Sequence, residues 1–204
     1  MHVFSLSTME SEQAARAKGM YVTHEGHCGS CSSLQDLVVY MKIPDLTEVG
    51  IKCGFRAILN FNDGVVCYTG YGFSEECAKI WIYDTMNTHV QCPSCIIFAT
   101  SGTPSNLPAP GCGLVECIQC DEDRSGPLFK KFAGRTRRDS GLMSKIVRNC
   151  SAVPEVYHQD PCYPMTYSPR VSPTAAPPSP SSSERASMMV GVVLVLFGLL
   201  GIVA

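Results

Sequence analysis

The chain has 204 residues and a formal net charge of −2, with 16 Lys and Arg against 18 Asp and Glu. That balance excludes a global basic field, so no nucleic-acid partner is expected. Twelve cysteines fall between Cys28 and Cys162. This density is close to that of a disulfide scaffold, and the even count suits full pairing.

Taken in chain order, residues 1–20 are polar and lack the apolar stretch of a secretory signal, so they are expected to be a disordered N-terminus. That start leaves two routes open. Either upstream sequence supplies a signal and the head is lumenal or extracellular, or the protein enters a membrane by its tail and the head stays cytosolic. A cysteine-rich domain is expected over residues 21–163. Within it, Leu34, Leu37, Val38 and Met41 repeat at the spacing of one helical face, with Ser32 or Ser33 as cap and Pro44 as stop. The run from Phe55 to Tyr68 carries Asn62-Asp63-Gly64 between apolar segments, a turn signal that predicts a hairpin or short loop. Ser74 followed by Glu75 and Glu76 predicts a second helix that buries Cys77, Ile80, Trp81 and Thr88 and ends before Pro93. Residues 100–113 are read as a loop, Leu128 to Ala133 as a helical turn after Pro127, and Ser140 as the cap of a helix running to Arg148. The resulting fold class is α+β: a small, disulfide-rich, loop-rich globular head plus one C-terminal hydrophobic helix.

The segments Cys28-Gly29-Ser30-Cys31-Ser32, Asp36-Leu37, Val39-Tyr40, Asp45-Leu46-Thr47, Asp121 to Gly126 and Ala133-Gly134-Arg135-Thr136-Arg137-Arg138 resemble an uncharacterised, cysteine-rich, membrane-anchored family of single-celled eukaryotes. The resemblance covers residues 25–150. It implies a shared scaffold and no known activity.

Four constellations could carry chemistry. Cys28 and Cys31 form a CxxC at a helix start, with His24 and His27 close by. That is how thiol–disulfide oxidoreductases lower a cysteine pKa, although no strand precedes the motif here. Cys92, Cys95, Cys117 and Cys120 form two further CxxC knuckles with 21 residues between them, an alternative zinc set if the head is cytosolic. Asp121, Asp123 and Ser125, with Gly126 and Leu128, follow the start of a calcium loop, but Phe132 stands where the closing Glu belongs. Between Arg124 and Arg148 lie 8 of the 16 basic residues. Of these, Lys130, Lys131, Arg135, Arg137 and Arg138 are candidates to bind an anionic glycan, phosphate or lipid headgroup. Arg135-Thr136-Arg137-Arg138 also fits a basic processing site if it is exposed and extended. Cys28, Cys31, Cys53, Cys67, Cys77, Cys92, Cys95, Cys112, Cys117, Cys120, Cys150 and Cys162 are all expected in disulfides. Asn149-Cys150-Ser151 is a glycosylation sequon.

Residues 164–187 read as a Pro/Ser-rich stalk suited to O-glycans. Met188 to Ala204 contains no charged or polar side chain. As a helix it would be about 25 Å long, at the lower limit for a span. It reads as a transmembrane helix or a lipid-anchor signal. No motif of a hydrolase, zincin, P-loop or dinucleotide site occurs, and no catalytic residue or resident cofactor is assigned. The leading expectation is a membrane-anchored, disulfide-stabilised surface or lumenal protein with a binding or structural role, and possible partners are an anionic glycan or a protein ligand. The alternatives are a tail-anchored cytosolic zinc protein and a lumenal thiol–disulfide oxidoreductase.

Overall fold

The computed structural model describes residues 4–108, 113–146, 156, 158–160 and 163–167. The chain divides into two units, residues 1–169 and 170–204, and all described residues belong to the first. The expected α+β architecture is corrected. Among the described residues there are eight helices and one two-stranded sheet. The helices are α1 (Glu12–Ala17), α2 (Leu34–Lys42), α3 (Thr47–Leu59), α4 (Phe61–Gly70), α5 (Glu75–Gln91), α6 (Ser94–Ser101), α7 (Glu116–Arg124) and α8 (Gly126–Ala133). Strands β1 (His158–Asp160) and β2 (Tyr163–Tyr167) pair antiparallel with a bulge after Gln159. No helix among the described residues is long and apolar enough to cross a membrane. The apolar run 188–204, and the stalk beyond Tyr167, lie outside the described residues.

The hairpin expected at 55–68 is instead the junction of two helices. Asn60 caps α4 by accepting the Asn62 amide at 3.0 Å. This puts Asn62 and Asp63 in a first helical turn, where an acidic side chain suits the helix dipole. Gly64 serves packing rather than turning. A Cβ there would stand 2.6 Å from Ala57 Cβ and 2.7 Å from Ile82 Cδ1, so its absence lets α3, α4 and α5 approach closely.

The other helix signals translate more directly. Ser33 caps α2 and Ser74 caps α5, each accepting a backbone amide three residues on, and α2 ends at Lys42, two residues before Pro44. The stretch read as disordered contains α1, capped by Ser11, with Ala15 buried. The helix expected after Ser140 is absent over residues 141–146. The Ser140 hydroxyl donates to the Thr136 carbonyl at 2.9 Å and accepts from Arg135.

An aromatic group occupies the centre. Tyr40, Tyr68 and Phe73 are buried. Tyr68 stacks on Trp81 at 5.9 Å, and Trp81 meets Phe129 of α8 at 4.5 Å. The Trp81 indole N–H donates to the Tyr40 hydroxyl at 3.2 Å. Among the described residues there are four disulfides, Cys31–Cys77, Cys53–Cys67, Cys92–Cys120 and Cys95–Cys117, and the first two lie in the same core as the aromatic group. Cys53–Cys67 joins α3 to α4, and Cys31–Cys77 ties the start of α2 to the start of α5. Beside that second bridge, the buried Asp36 accepts the Ser74 amide at 2.8 Å and its hydroxyl at 2.9 Å. One carboxylate thus holds two helix starts together.

Candidate functional site

Residues of helices α2 to α8 line a half-open cavity of about 360 Å3, within the size range of small-ligand sites. Its wall is mainly apolar and aromatic, with Ile51, Phe55, Ile58, Tyr68, Trp81 and Phe129 among the lining residues. The face that α5 turns toward it is Trp81, Asp84, Thr85 and Thr88, the i, i+3, i+4, i+7 stripe of a helix. Asp84 interrupts an otherwise core-like face. Its Oδ1 is sealed from solvent and has no hydrogen-bond partner among the described residues. Burial, and then the nearby carboxylates of Asp121 and Glu122, hold its carboxyl well above the usual range. Asp121 accepts the Thr88 hydroxyl, and Glu122 faces the Lys130 ammonium at 3.9 Å. The Tyr68 hydroxyl is likewise buried without a partner among the described residues, and burial raises it.

Asp84 was not singled out from the sequence. The signal was present, because it lies three residues after Trp81 and seven after Cys77, on the face expected to be buried. An acid in that register has to be paired, protonated or in use.

The residues singled out from the sequence have different surroundings from those expected. Cys31 is bonded to Cys77, not to Cys28, so the CxxC of the oxidoreductase reading is not a vicinal redox pair. Cys28 has no disulfide partner among the described residues, and Cys112, Cys150, Cys162 and Asn149 lie outside them. His24 is buried and held below its usual pKa by desolvation. Its neutral ring donates from Nδ1 to the Glu25 carbonyl at 2.8 Å and accepts the Ser32 hydroxyl at Nε2 at 2.9 Å.

The zinc set is oxidised. Cys92–Cys120 and Cys95–Cys117 form a nested pair of bridges, which leaves no thiolate for a metal. The i, i+3 spacing on both segments puts each pair of sulfurs on one face, so antiparallel chains can be stapled twice. The calcium pattern is also corrected. Asp121 and Asp123 lie in α7 rather than in a loop, and Ser125 is its C-cap. Asp121 faces Thr88, whereas exposed Asp123 takes the Gln119 amide at 3.0 Å. Residues two apart on a helix do not share a face. Among the described residues no group of three His, Cys, Asp or Glu side chains is placed to hold a metal ion.

The basic segment is largely structural. Arg135 is fully buried. It donates to the carbonyls of Cys31 at 3.0 Å, Thr23 at 2.8 Å and Ser32 at 3.1 Å, and to the Ser140 hydroxyl at 2.8 Å. Burial lowers it to about 10, which leaves it charged at neutral pH. Arg137 donates to the carbonyls of Tyr40 and Ile43, closing the C-terminal end of α2 with a cation where the helix dipole favours one. The expected processing site is therefore neither extended nor exposed at Arg135, and Arg135 is not open to an anion. Lys130 and Lys131 are exposed, and Arg137 and Arg138 are partly buried.

This segment and the Cys28–Cys31 segment are two sides of one seam. The last carbonyls of α8 need partners outside the helix. Lys131 O takes His27 Nε2 at 2.9 Å, Phe132 O takes the Ser30 amide at 3.0 Å, and Ala133 O takes the Cys31 amide at 2.8 Å. The approach is so close that a Cβ on Gly29 would stand 2.5 Å from Phe132 O. A Cβ on Gly134, whose φ is +72°, would stand 2.3 Å from the Gly29 nitrogen.

The chain is a disulfide-stabilised helical protein, and structural disulfides are the mark of an oxidising compartment, lumenal or extracellular. Neither a curated protein nor a solved structure matches the chain. Residues 61–156, just under half of its length, match the model of a family of unknown function (DUF8771).

Proposed function

We propose that this is a membrane-attached surface or lumenal protein whose head binds a small, largely apolar ligand in the cavity between its helices. The observation that carries the reading is the cavity itself, about 360 Å3 and walled by aromatic and aliphatic side chains around Trp81. An apolar space of this size with a few polar groups at its wall is the usual form of a ligand site. The role is binding, and the disulfides keep the wall rigid so that little ordering free energy is lost when a ligand enters. Attachment rests on the uncharged apolar run Met188–Ala204, and detergent-phase partition of the native protein tests it. Partition into the aqueous phase would remove the membrane from the proposal.

Trp81 is the only tryptophan in the chain and lines the cavity, so it reports on occupancy. The neutral probe N-phenyl-1-naphthylamine should bind with energy transfer from Trp81. Gly50→Leu should block it, because Gly50 lines the cavity and a Cβ there meets only the Tyr68 hydroxyl at 3.6 Å. No transfer in the wild type, or undiminished transfer in Gly50→Leu, would overturn the reading.

A further inference from the structure

The cavity is half-open, so part of its lining meets solvent. The exposed lining residues are Phe55 and Ile58 of α3, His89 of α5, Ile96 of α6 and Lys130 of α8. The rim therefore carries large apolar side chains and two basic ones, and no carboxylate. Asp84, Asp121, Glu122, Arg137, Arg138 and Asp139 also line the cavity but are half-buried. The Lys130 ammonium stands 3.9 Å from Glu122, and its side chain stays 57% exposed. Apolar surface continues beyond the rim. Leu59, beside Ile58, is 88% exposed, and Ile97, beside Ile96, is 73% exposed. No residue of α6 is buried, so core burial does little to hold that helix. The Cys95–Cys117 bridge within it and the Cys92–Cys120 bridge just before it fix it to α7. From Val90 to Val115 the chain carries no charged side chain. An uncharged helix held covalently with its isoleucines in solvent, at the mouth of an apolar cavity, marks an interaction face.

We propose that this rim docks on a phospholipid bilayer and that the cavity takes up an acyl chain from it. This deepens the apolar-ligand reading and rests on it. The rim matches the two layers of a leaflet. Phe55, Ile58 and Ile96 suit the acyl region, and Lys130 and His89 offer donors to the phosphates above it. A second copy of the chain docked by the same face would set bases against bases. The uncharged run Met188–Ala204 of the chain's own tail offers them no anion. That run, as the membrane attachment, also explains why a small rim is enough. A head joined to the bilayer through residues 168–187 meets it at high effective concentration. A lipid chain entering between α3 and α6 reaches Trp81 and Phe129 without crossing water.

The test uses the full disulfide-bonded chain in vesicles of mixed phosphatidylcholine and phosphatidylglycerol, with and without bromine at the middle of the acyl chains. Bromine quenches an indole at contact, and Trp81 is the only tryptophan. In brominated vesicles its emission should fall about twofold, because a lipid chain in the cavity lies against it. Gly50→Leu, which fills the cavity, should remove that loss. Leu59→Asp combined with Ile97→Asp should reduce it at least about threefold, since an acid is costly in an apolar layer. Neither position lines the cavity, so this double variant should still bind N-phenyl-1-naphthylamine in the absence of vesicles. A wild type that binds the naphthylamine but is not quenched would overturn the bilayer while leaving an apolar site. Undiminished quenching in the double variant would overturn the rim, and undiminished quenching in Gly50→Leu would overturn the acyl chain. A dimer in detergent that the double variant dissociates would give the face to a second copy instead. A chain that is neither quenched nor able to bind the naphthylamine would overturn this proposal and the apolar-ligand reading together.

Discussion

Replacing Arg135 with Met keeps an unbranched stem and removes the guanidinium. In the wild type that group, buried with its residue at 0% exposure, serves three carbonyls and one hydroxyl at 2.8–3.1 Å. Stranding four buried acceptors at about 1 kcal/mol each gives about 4 kcal/mol, and removing one side of a buried charged network falls in a range of about 3–5 kcal/mol. Domains of this size are stable by only about 5–15 kcal/mol, so the loss should be plain in equilibrium urea unfolding of the oxidised protein at pH 7. Lys131→Met is the control. It lies four residues away on the same segment, is exposed, and should change stability by no more than about 0.5 kcal/mol. Arg135→Lys should recover less than half of the loss, because one ammonium cannot span acceptors on two separate loops. If Arg135→Met costs no more than Lys131→Met, the seam is not held by this residue and the reasoning fails.

Three further outcomes are expected. Gly29→Ala should destabilise by about 2–4 kcal/mol, since the new Cβ would lie within 2.6 Å of backbone atoms of Phe132, Ala133 and Gly134; thermal melts against Gly70→Ala, whose Cβ meets nothing within 4 Å, check it. Replacing the Cys31–Cys77 pair by alanines should cost about 4 kcal/mol and the Cys53–Cys67 pair about 3 kcal/mol, in the order of their sequence separations of 46 and 14; denaturant midpoints that reverse this order would contradict it. Asp84 has a folded pKa above its unfolded value, so its contribution to stability is full below the unfolded pKa and is lost as pH rises through the folded one. Asp84→Asn should therefore be the more stable protein at pH 7, by about 1–3 kcal/mol, with the difference vanishing near pH 3; equal stability curves from pH 3 to 8 would refute this.

Much of the helical framework is legible because caps and periodicity are local. Ser33, Ser74 and Pro127 mark helix starts by chemistry that needs no distant partner. The hairpin reading failed at Gly64 because Asn-Asp-Gly is a turn signal only when the glycine is needed for its backbone. Here it is needed for the space beside Ala57 and Ile82, which is a tertiary fact. The basic run misled for a related reason. Charge density in sequence predicts a solvated or ligand-binding face, and nothing local reveals that Arg135 is surrounded by carbonyls about 100 residues upstream. Cysteine count pointed to disulfides, but the pairings depend on which helix faces meet. Asp84 was within reach, since a carboxylate in the register of Cys77 and Trp81 breaks the pattern of a buried stripe.

The stitching between the segment around Cys28–Cys31 and the end of α8 bears on where this protein can be cut. The stretch recognised as a family begins at residue 61. Cys67 and Cys77 lie inside it, yet their partners Cys53 and Cys31 lie upstream. The carbonyl acceptors of Arg135, the capping donors of α8 and all of α3 lie upstream as well. A fragment cut to the similarity boundary would carry two orphan thiols, an arginine without its cage and one side of the cavity missing. A piece that keeps these contacts has to begin before Thr23, so similarity marks a recognisable patch of sequence here rather than the bounds of the packed unit.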